Sequence, residues 1–258
     1  MTTPTRGVAL DLTPAPGAAP AGRRVLRHAA IEVRLLLRNG EQLLLALVIP
    51  VGILVLGHVL GRFGSLRTLV PSVLALALWS SAFTSVAIAT GFERRYGVLE
   101  RLASTPLGRS GLILGKAVAV VIVAVGQLVV LSGVGLVLGW RPALTSIDTL
   151  GVVLAVVLAI VTFTCCALAL AGRLPAETTL AVANLIYVVL AAGGALVVPV
   201  ASYPGALAEV VRWLPTAALG EALRGWSVGQ LLGWPLAVLA GWSVIGGLLA
   251  WKGHRWMS

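Results

Sequence analysis

Charged residues are scarce in this sequence. Asp, Glu, Lys and Arg together make up 11% of its 258 residues, whereas a soluble domain typically has about 25%. Hydrophobic residues account for 59% of the chain, and its mean hydropathy is +1.01. A soluble domain of this size could not bury so much apolar surface. The composition therefore excludes that class and predicts a polytopic, all-α membrane protein.

The residues that enzymes use for chemistry are also few. The three histidines, His28, His58 and His254, are far apart in the chain, and the sequence contains neither HExxH nor GxSxG. The stretch Gly111–Lys116 has the wrong spacing for a phosphate-binding P-loop, and Ala117 follows it where Ser or Thr would bind magnesium. We therefore expect no catalytic residue, no metal site and no bound cofactor in this chain.

Cysteine and intramembrane acid are nearly absent as well. Cys165 and Cys166 are adjacent in an apolar run, where neighbouring helical positions point in different directions, so they predict neither a disulfide nor a metal site. The acids nearest to the apolar runs, Glu41, Asp148 and Glu177, lie at their ends. A proton-coupled carrier with a buried carboxylate relay is poorly supported for that reason.

Long apolar runs dominate what is present. A span needs roughly 20 apolar residues to cross about 30 Å of hydrocarbon. Six runs meet this length, and they lie at about residues 42–60, 69–91, 111–138, 149–172, 178–199 and 231–251. Together with their connections they form one predicted transmembrane domain, residues 23–258, with both termini on the same side of the membrane.

The basic residues indicate which side that is. The net charge of +10 does not indicate nucleic acid, because 17 of the 19 basic residues are Arg in short loops and at the N-terminal flank. With both termini inside, 14 basic residues lie in inside segments and 5 in outside loops. This asymmetry predicts cytoplasmic termini.

The N-terminal region has two parts. Residues 1–22 contain four prolines and no periodic apolar pattern, which predicts a disordered tail and no signal peptide. Arg23–Gly40 has one apolar and one basic side, as an interfacial helix does, and we expect His28 on it to face solvent or lipid headgroups. The basic side includes Arg27, Arg34 and Arg38.

The segment Phe92–Pro106 interrupts the apolar pattern with a cluster of charges. Its apolar positions recur at helical spacing, and Pro106 stops the helix, so we expect a short amphipathic helix over residues 92–105. Neither Glu93 nor Glu100 has Arg or Lys three or four positions away. The helix does not neutralise itself, and we expect its charged face to pair with another surface.

Two further segments carry polar residues near the membrane. Residues 205–228 predict two short outer helices divided at Pro215, each with an i,i+3 Glu–Arg pair, which form either a hairpin dipping into the outer leaflet or a cap lying on it. Within the spans, Gln127, Asn184 and Tyr187 should face protein or a cavity, as interhelical hydrogen-bond groups or as substrate contacts.

This combination resembles the ABC type-2 permease family. The resemblance covers residues 23–256 and is most specific at Glu93–Pro106 followed by Gly115-Lys116, which is similar to the family pattern E-R-E-x-G-x-L-x-x-L-x-x-x-P, with Arg95 where a second acid is common. It implies that the helix at 92–105 is the coupling helix that contacts a separate ATPase. The residues it assigns to this contact are Phe92, Glu93, Arg94, Arg95, Tyr96, Gly97, Leu99, Glu100, Arg101 and Leu102.

The same resemblance implies the partners and the activity. It implies two ATPase chains that hold ATP and magnesium, a second permease chain that is identical or homologous, and a second ATPase or membrane contact on the N-terminal helix. The implied function is export of a drug, antibiotic or lipid-like substrate, or of a polysaccharide precursor, across the bacterial cytoplasmic membrane. An ion-coupled carrier, an intramembrane enzyme and a membrane assembly protein are the alternatives.

Overall fold

The computed structural model describes residues 17–38, 40, 44–61, 64–143, 146–230 and 233–252. Within these ranges the secondary structure is helical and contains no strand, which confirms the predicted all-α class. Residues 1–16 of the predicted tail 1–22 lie outside the described residues, and the last two residues of that tail, Ala21 and Gly22, belong to the first helix. The helices are α1 (Ala21–Arg38), α2 (Ile49–Leu60), α3 (Leu66–Arg95), α4 (Val98–Ala103), α5 (Gly108–Val137), α6 (Ser146–Ala171), α7 (Ala176–Gly193), α8 (Gly205–Val211), α9 (Pro215–Ser227) and α10 (Gly233–Lys252).

Five of these helices, α3, α5, α6, α7 and α10, are long and apolar enough to cross a membrane. The predicted first span differs from the other five. Its described apolar helix, Ala46–Leu60, extends about 22 Å at the usual rise per residue, and residues 42 and 43 of the predicted span lie outside the described residues. It begins with a π-helical turn, Leu44–Val48, and ends at Gly61, whose φ of 62° ends the helix in the left-handed conformation.

Helix α3 is the centre of the bundle. It is the most buried of the five long helices, and α2, α5, α6, α7 and α9 all pack against it. A π-helical turn, Ser80–Ser85, interrupts its α-helical hydrogen bonding at mid-length. There the Ser81 hydroxyl donates to Gln127 Oε1 at 2.6 Å, and the Gln127 amide donates to the Ala46 carbonyl at 2.9 Å. Gln127 is therefore an interhelical hydrogen-bonding residue that joins α5 to α3 and to the start of the α2 segment.

The two ends of the bundle differ in structure. Helix α4 lies at one end, at the start of α5, and α9 lies at the other, where the Trp140 indole N–H donates to Ser227 Oγ at 2.9 Å. We call these the α4 end and the α9 end. The predicted division of the outer segment at Pro215 is confirmed, because α8 ends at Val211 and α9 begins at Pro215. Helix α8 is largely exposed, whereas α9 is almost wholly buried against α3, α6 and α10.

A buried arginine explains why α9 penetrates the bundle. The Arg224 guanidinium donates to the carbonyls of Ala195 at 2.8 Å and Leu196 at 2.9 Å, to Ser72 Oγ at 3.0 Å and to Glu221 Oε1 at 3.0 Å. These two carbonyls follow the end of α7, which stops at Gly193 and is shorter than the predicted span 178–199. The backbone groups that lose helical partners there are satisfied by Arg224.

Close backbone approach makes this arrangement possible. A Cβ atom at Gly194 would lie 2.6 Å from Thr216 Oγ1, and one at Gly220 would lie 2.7 Å from the Ala195 carbonyl oxygen. The segment after α7 and the first turns of α9 therefore pack together only because both positions are glycine.

The two Glu–Arg pairs on α8 and α9 provide a matched test of burial. We expect Arg224→Ala to lower the free energy of unfolding by about 3–5 kcal/mol, because it strands a buried carboxylate and two carbonyls. Arg212→Ala removes the exposed ion pair with Glu209 at 3.4 Å and the contact with the Trp234 ring, so we expect a loss of about 1 kcal/mol. Unfolding of the purified protein in detergent measures both, and equal losses would contradict the assigned role of Arg224.

Candidate functional site

The predicted single helix over residues 92–105 is two helices. Helix α3 continues past Phe92 to Arg95, the chain reverses direction at Tyr96-Gly97, and α4 begins at Val98. Gly97 has a φ of 67°, and its N–H bonds the Arg94 carbonyl at 3.1 Å. This left-handed glycine ends α3, as glycine commonly does at a helix C-terminus. The sequence reading missed it because the apolar positions on both sides keep helical spacing.

Three of the charged residues in this segment have partners elsewhere in the chain. Arg94 donates to the carbonyls of Ala171 and Leu174 at 2.9 Å each and so satisfies the C-terminal end of α6. Arg95 forms an ion pair with Glu177 at the start of α7. These residues therefore have partners within the chain, which the sequence did not indicate because helical spacing reports pairs only along one helix.

Glu93 belongs to a buried ionic cluster that joins three helices. Its carboxylate accepts a hydrogen bond from Lys116 Nζ of α5 at 2.8 Å, and Lys116 also lies 3.7 Å from Glu32 of α1. Glu32 in turn lies 3.6 Å from His28 Nε2. Lys116 is only 6% exposed and His28 only 8%. We call these four residues the ionic cluster; it connects α1, α3 and α5 beside α4.

His28 was predicted to face solvent or headgroups, and that prediction was wrong. Its ring packs against Gly115 of α5, where an added Cβ would lie 2.5 Å from His28 Cδ2. Burial lowers the pKa of His28 below its usual 6.5; the Glu32 carboxylate opposes this shift, and the Lys116 ammonium adds to it. His28 is therefore neutral at pH 7 inside the α1–α5 contact.

Signals for this cluster were present in the sequence. His28 and Glu32 have the i,i+4 spacing that brings side chains together on a helix, and Lys116 lies at the start of an apolar run, where an unpaired ammonium is costly. What the sequence could not indicate is that α1 lies on α5, because an amphipathic helix has the same pattern on protein and on a membrane surface.

The remaining predicted residues at the α4 end are accessible. Glu100 and Arg101 of α4 are exposed and form no ion pair with any described residue, and Tyr96 is 62% exposed. On α1, the predicted contacts Arg27, Arg34 and Arg38 are exposed. Leu99 is buried against the bundle, while Phe92, Gly97 and Leu102 are half-buried. A shallow depression of about 320 Å³ separates α1 from the end of α4.

That depression adds a geometric link between the two predicted contact regions. Arg24, Arg27 and Ile31 line its α1 side, and Leu102 and Pro106 line the other. The hydroxyls of Ser104 and Thr105 donate to carbonyls near the end of α4 at 2.8 and 2.6 Å, which closes the helix before Pro106. The exposed parts of α1 and α4 therefore form one continuous, mainly basic surface, with Glu100 as its acid.

Two apolar cavities lie within the bundle. The first, about 580 Å³, separates α5 from α6, which hardly touch, and extends from Leu99 of α4 to Trp226 of α9. Aliphatic side chains form most of its wall. The second, about 470 Å³, lies among α3, α6, α7 and α10 and is lined by aromatic rings. Both volumes fall in the range of about 300–1,000 Å³ that small-molecule sites occupy.

The three polar residues predicted for a substrate path lie outside the linings of these two cavities. Gln127 is buried and makes the interhelical hydrogen bonds described above, Asn184 is exposed, and Tyr187 is half-buried on α7. Most of the side chains that do line the cavities are apolar; the polar exceptions include Lys116, Ser132, Thr149 and Thr164 in the first cavity and Arg173 in the second. Sequence reasoning could not identify them, since an apolar residue that faces a cavity looks like one that faces lipid.

The α1–α5 contact can be tested with two glycines of α5. We expect Gly115→Ala to displace His28 and to destabilise the protein by about 1–3 kcal/mol, because the new methyl group overlaps the imidazole ring. Gly126 has no atom within 4 Å of an added Cβ, so Gly126→Ala should be neutral or slightly stabilising. Thermal unfolding in detergent compares the two; a harmless Gly115→Ala would mean that α1 is not seated on α5.

Acid should loosen the same contact through His28. Because the pKa of His28 is lower in the folded protein than in the unfolded chain, its contribution to stability is present above pH 6.5 and is lost as the pH falls through that value. We expect the Tm to fall more between pH 7.5 and pH 5.5 in the wild type than in His28→Gln, which cannot titrate there. Parallel pH profiles for the two proteins would contradict a buried, neutral His28.

Comparison with known proteins agrees with this architecture. The model of the ABC-2 family transporter proteins matches residues 44–252. The chain is 27% identical over 247 residues to a probable doxorubicin resistance ABC transporter permease protein, DrrC, of Mycobacterium tuberculosis, in strains CDC 1551 / Oshkosh and ATCC 25618 / H37Rv. The alignment covers 89% of this chain and 87% of each relative. The chain belongs to the ABC-2 transporter family and is a multi-pass membrane permease.

Proposed function

We propose that this chain is the membrane subunit of an exporter in which ATP hydrolysis by a separate nucleotide-binding subunit drives transport. The observation that carries the proposal is that Glu100 and Arg101 of α4 are exposed and form no ion pair with a described residue, whereas Glu93, Arg94 and Arg95 at the end of α3 have partners within the chain. A surface that keeps opposite charges accessible beside an apolar bundle is suited to a protein partner. The basic side of α1, with Arg27, Arg34 and Arg38, is the second contact, with the partner or with anionic lipid.

The ionic cluster couples movement of α4 to movement of the long helices beside it. Leu99 anchors α4 on the bundle, and a two-residue turn joins it to α3, while α3, α5 and α1 meet at Lys116. When the nucleotide-binding subunit displaces α4, the two helices that flank it, α3 and α5, therefore tilt with it as rigid bodies. The longer contacts of the cluster, 3.6 and 3.7 Å, leave room for α1 to shift while the 2.8 Å pair holds α3 to α5.

The complete transporter contains two permease chains, identical or homologous, and two ATPase chains that hold ATP and magnesium. The permease itself catalyses no reaction. The α4 end and both termini lie in the cytoplasm of a bacterium, which the bias of basic residues supports, and the α9 end faces outward. In this orientation α4 meets the ATPase, and α9, held by Arg224, closes the outer side of the bundle.

The substrate is apolar or amphipathic. Both large cavities have apolar walls, and the wall of the α5–α6 cavity spans most of the length of α5, from Leu112 to Ser132. This shape accommodates a drug, an antibiotic or a lipid-like molecule. The resistance to doxorubicin in the name of the Mycobacterium tuberculosis relatives supports the first of these classes for this chain as well.

Charge reversal on α4 tests the docking role. We expect the double variant Glu100→Lys, Arg101→Glu to reduce co-purification with the native ATPase subunit at least tenfold and to abolish export, because both charges would face like charges. Glu93 is unsuitable for this test because it is buried in the ionic cluster. The matched control is Glu209→Lys, Arg212→Glu, an exposed pair on α8 at the opposite end of the bundle.

The two variants separate docking from folding. The α8 variant should co-purify with the ATPase as the wild type does, and both variants should elute as folded protein in detergent. Full export by the α4 variant would refute docking through these residues. Transport by the purified permease under an ion gradient, with no ATPase present, would instead identify a secondary carrier.

A further inference from the structure

We propose that a second copy of this chain packs against α7, with the Asn184 side chains of the two copies hydrogen-bonded to each other across a two-fold axis. This inference rests on the proposed function, which requires two permease chains, and it names the surface where they meet. We call that surface the α7 face. It consists of four exposed residues at helical spacing: Ala181, Asn184, Val188 and Ala192.

Asn184 lies at the depth where a polar group is most costly. Helix α7 runs from Ala176 to Gly193, so Asn184 is about 12 Å or more from either end at the usual rise per residue. Its side chain is exposed and has no hydrogen-bond partner among the described residues. A carboxamide that faces hydrocarbon loses its hydrogen bonds to water and gains none. A polar group outside this chain must therefore meet it.

Asn184 differs in this respect from the polar residues of the other long helices. Among the described residues of α3, α5, α6 and α10, every exposed polar side chain lies within four residues of a helix end, where water and headgroups reach it. The other carboxamide inside a span, Gln127, is buried and bonds both Ser81 and the Ala46 carbonyl. One mid-span amide is thus satisfied within the chain, and the other is left for a partner.

The surroundings of Asn184 suit a second helix. Helix α7 is the least buried of the five long helices, and it packs mainly on α3 and α6. On its open side, Ala181 and Ala192 lie on the same stripe as Asn184 and present only methyl groups. Small residues let the backbones of two membrane helices approach closely, which is how interhelical hydrogen bonds form in lipid.

A second copy of the chain matches this surface better than other occupants do. A carboxamide has both a donor N–H and an acceptor oxygen, so two of them can bond each other reciprocally. Two copies with the same orientation in the membrane place Asn184 at the same depth, and a two-fold axis at the α7 face brings the two side chains together. A lipid acyl chain offers neither a donor nor an acceptor, and a different protein would need its own polar residue at this depth.

Self-association of the full-length permease in liposomes tests the hydrogen bond. Energy transfer between donor-labelled and acceptor-labelled chains is followed as lipid is added to dilute them. We expect Asn184→Leu to raise the dissociation constant of the dimer about fivefold to thirtyfold. Its Tm in detergent should equal that of the wild type, since Asn184 has no partner inside the chain. Asn184→Gln keeps the amide and should retain the dimer.

Cysteine cross-linking locates the face independently of the amide. In the background Cys165→Ala, Cys166→Ala, we expect Val188→Cys to form a covalent dimer with a short bismaleimide. Val129→Cys on α5 is the matched control, because Val129 is 67% exposed and Val188 is 60% exposed. It should stay monomeric under the same conditions. This comparison decides the position of the interface even if Asn184→Leu does not fold.

Several outcomes would overturn the inference. Undiminished association of Asn184→Leu would refute the hydrogen bond, and if export were lost at the same time, the residue would contact substrate instead. Cross-linking at Val129 but not at Val188 would refute the α7 face. A permease that stays monomeric alone, or that pairs only with a different permease, would refute the second copy.

The ATPase subunit separates this inference from the proposed function. If the α7 dimer fails while the permease still co-purifies with its ATPase and exports substrate, only the interface is refuted. An α7 dimer that forms without any ATPase association refutes the exporter and leaves the interface in place.

Discussion

The ion pair between Lys116 and Glu93 is the interaction on which the structure of the α4 end depends. Its two charged atoms lie 2.8 Å apart, and Lys116 is almost fully buried. A buried ammonium without its carboxylate would be costly, so α3 and α5 are held in one register at this point. Glu32 and His28 extend the pair to α1. Helix α4 is placed by these contacts, since it is six residues long and too short to be stable alone.

At the α9 end, buried polar groups also need partners, and there the partner is an arginine. There α7 stops early, and the carbonyls of the residues that follow it would be unpaired in an apolar environment. Arg224 of α9 donates hydrogen bonds to two of these carbonyls, Ala195 and Leu196, and Glu221 balances its charge. At the middle of the bundle, Gln127 accepts a hydrogen bond from Ser81 and donates one to the Ala46 carbonyl. Lys116, Arg224 and Gln127 thus each join separate parts of the bundle through polar contacts.

This distribution has a consequence for transport. The polar contacts are concentrated where helices join, and the two large cavities have apolar walls. Helices α5 and α6 hardly touch along one of these cavities, so contacts between these two helices do not fix its width. The ionic cluster joins the α4 end to α5, and α5 forms one wall of this cavity.

The sequence by itself determined the class, the long spans, the division of the outer segment at Pro215 and the family, because each depends on local composition or on spacing along one helix. It did not determine the break at Gly97, where apolar positions continue through a left-handed turn. Only the tertiary structure decided which charges are paired within the chain. Glu93, Arg94 and Arg95 look as free in the sequence as Glu100 and Arg101, yet their partners lie on α5, α6 and α7, far along the chain. Ion pairs between helices depend on which helices pack together, and the residue pattern of a single helix does not indicate its neighbours.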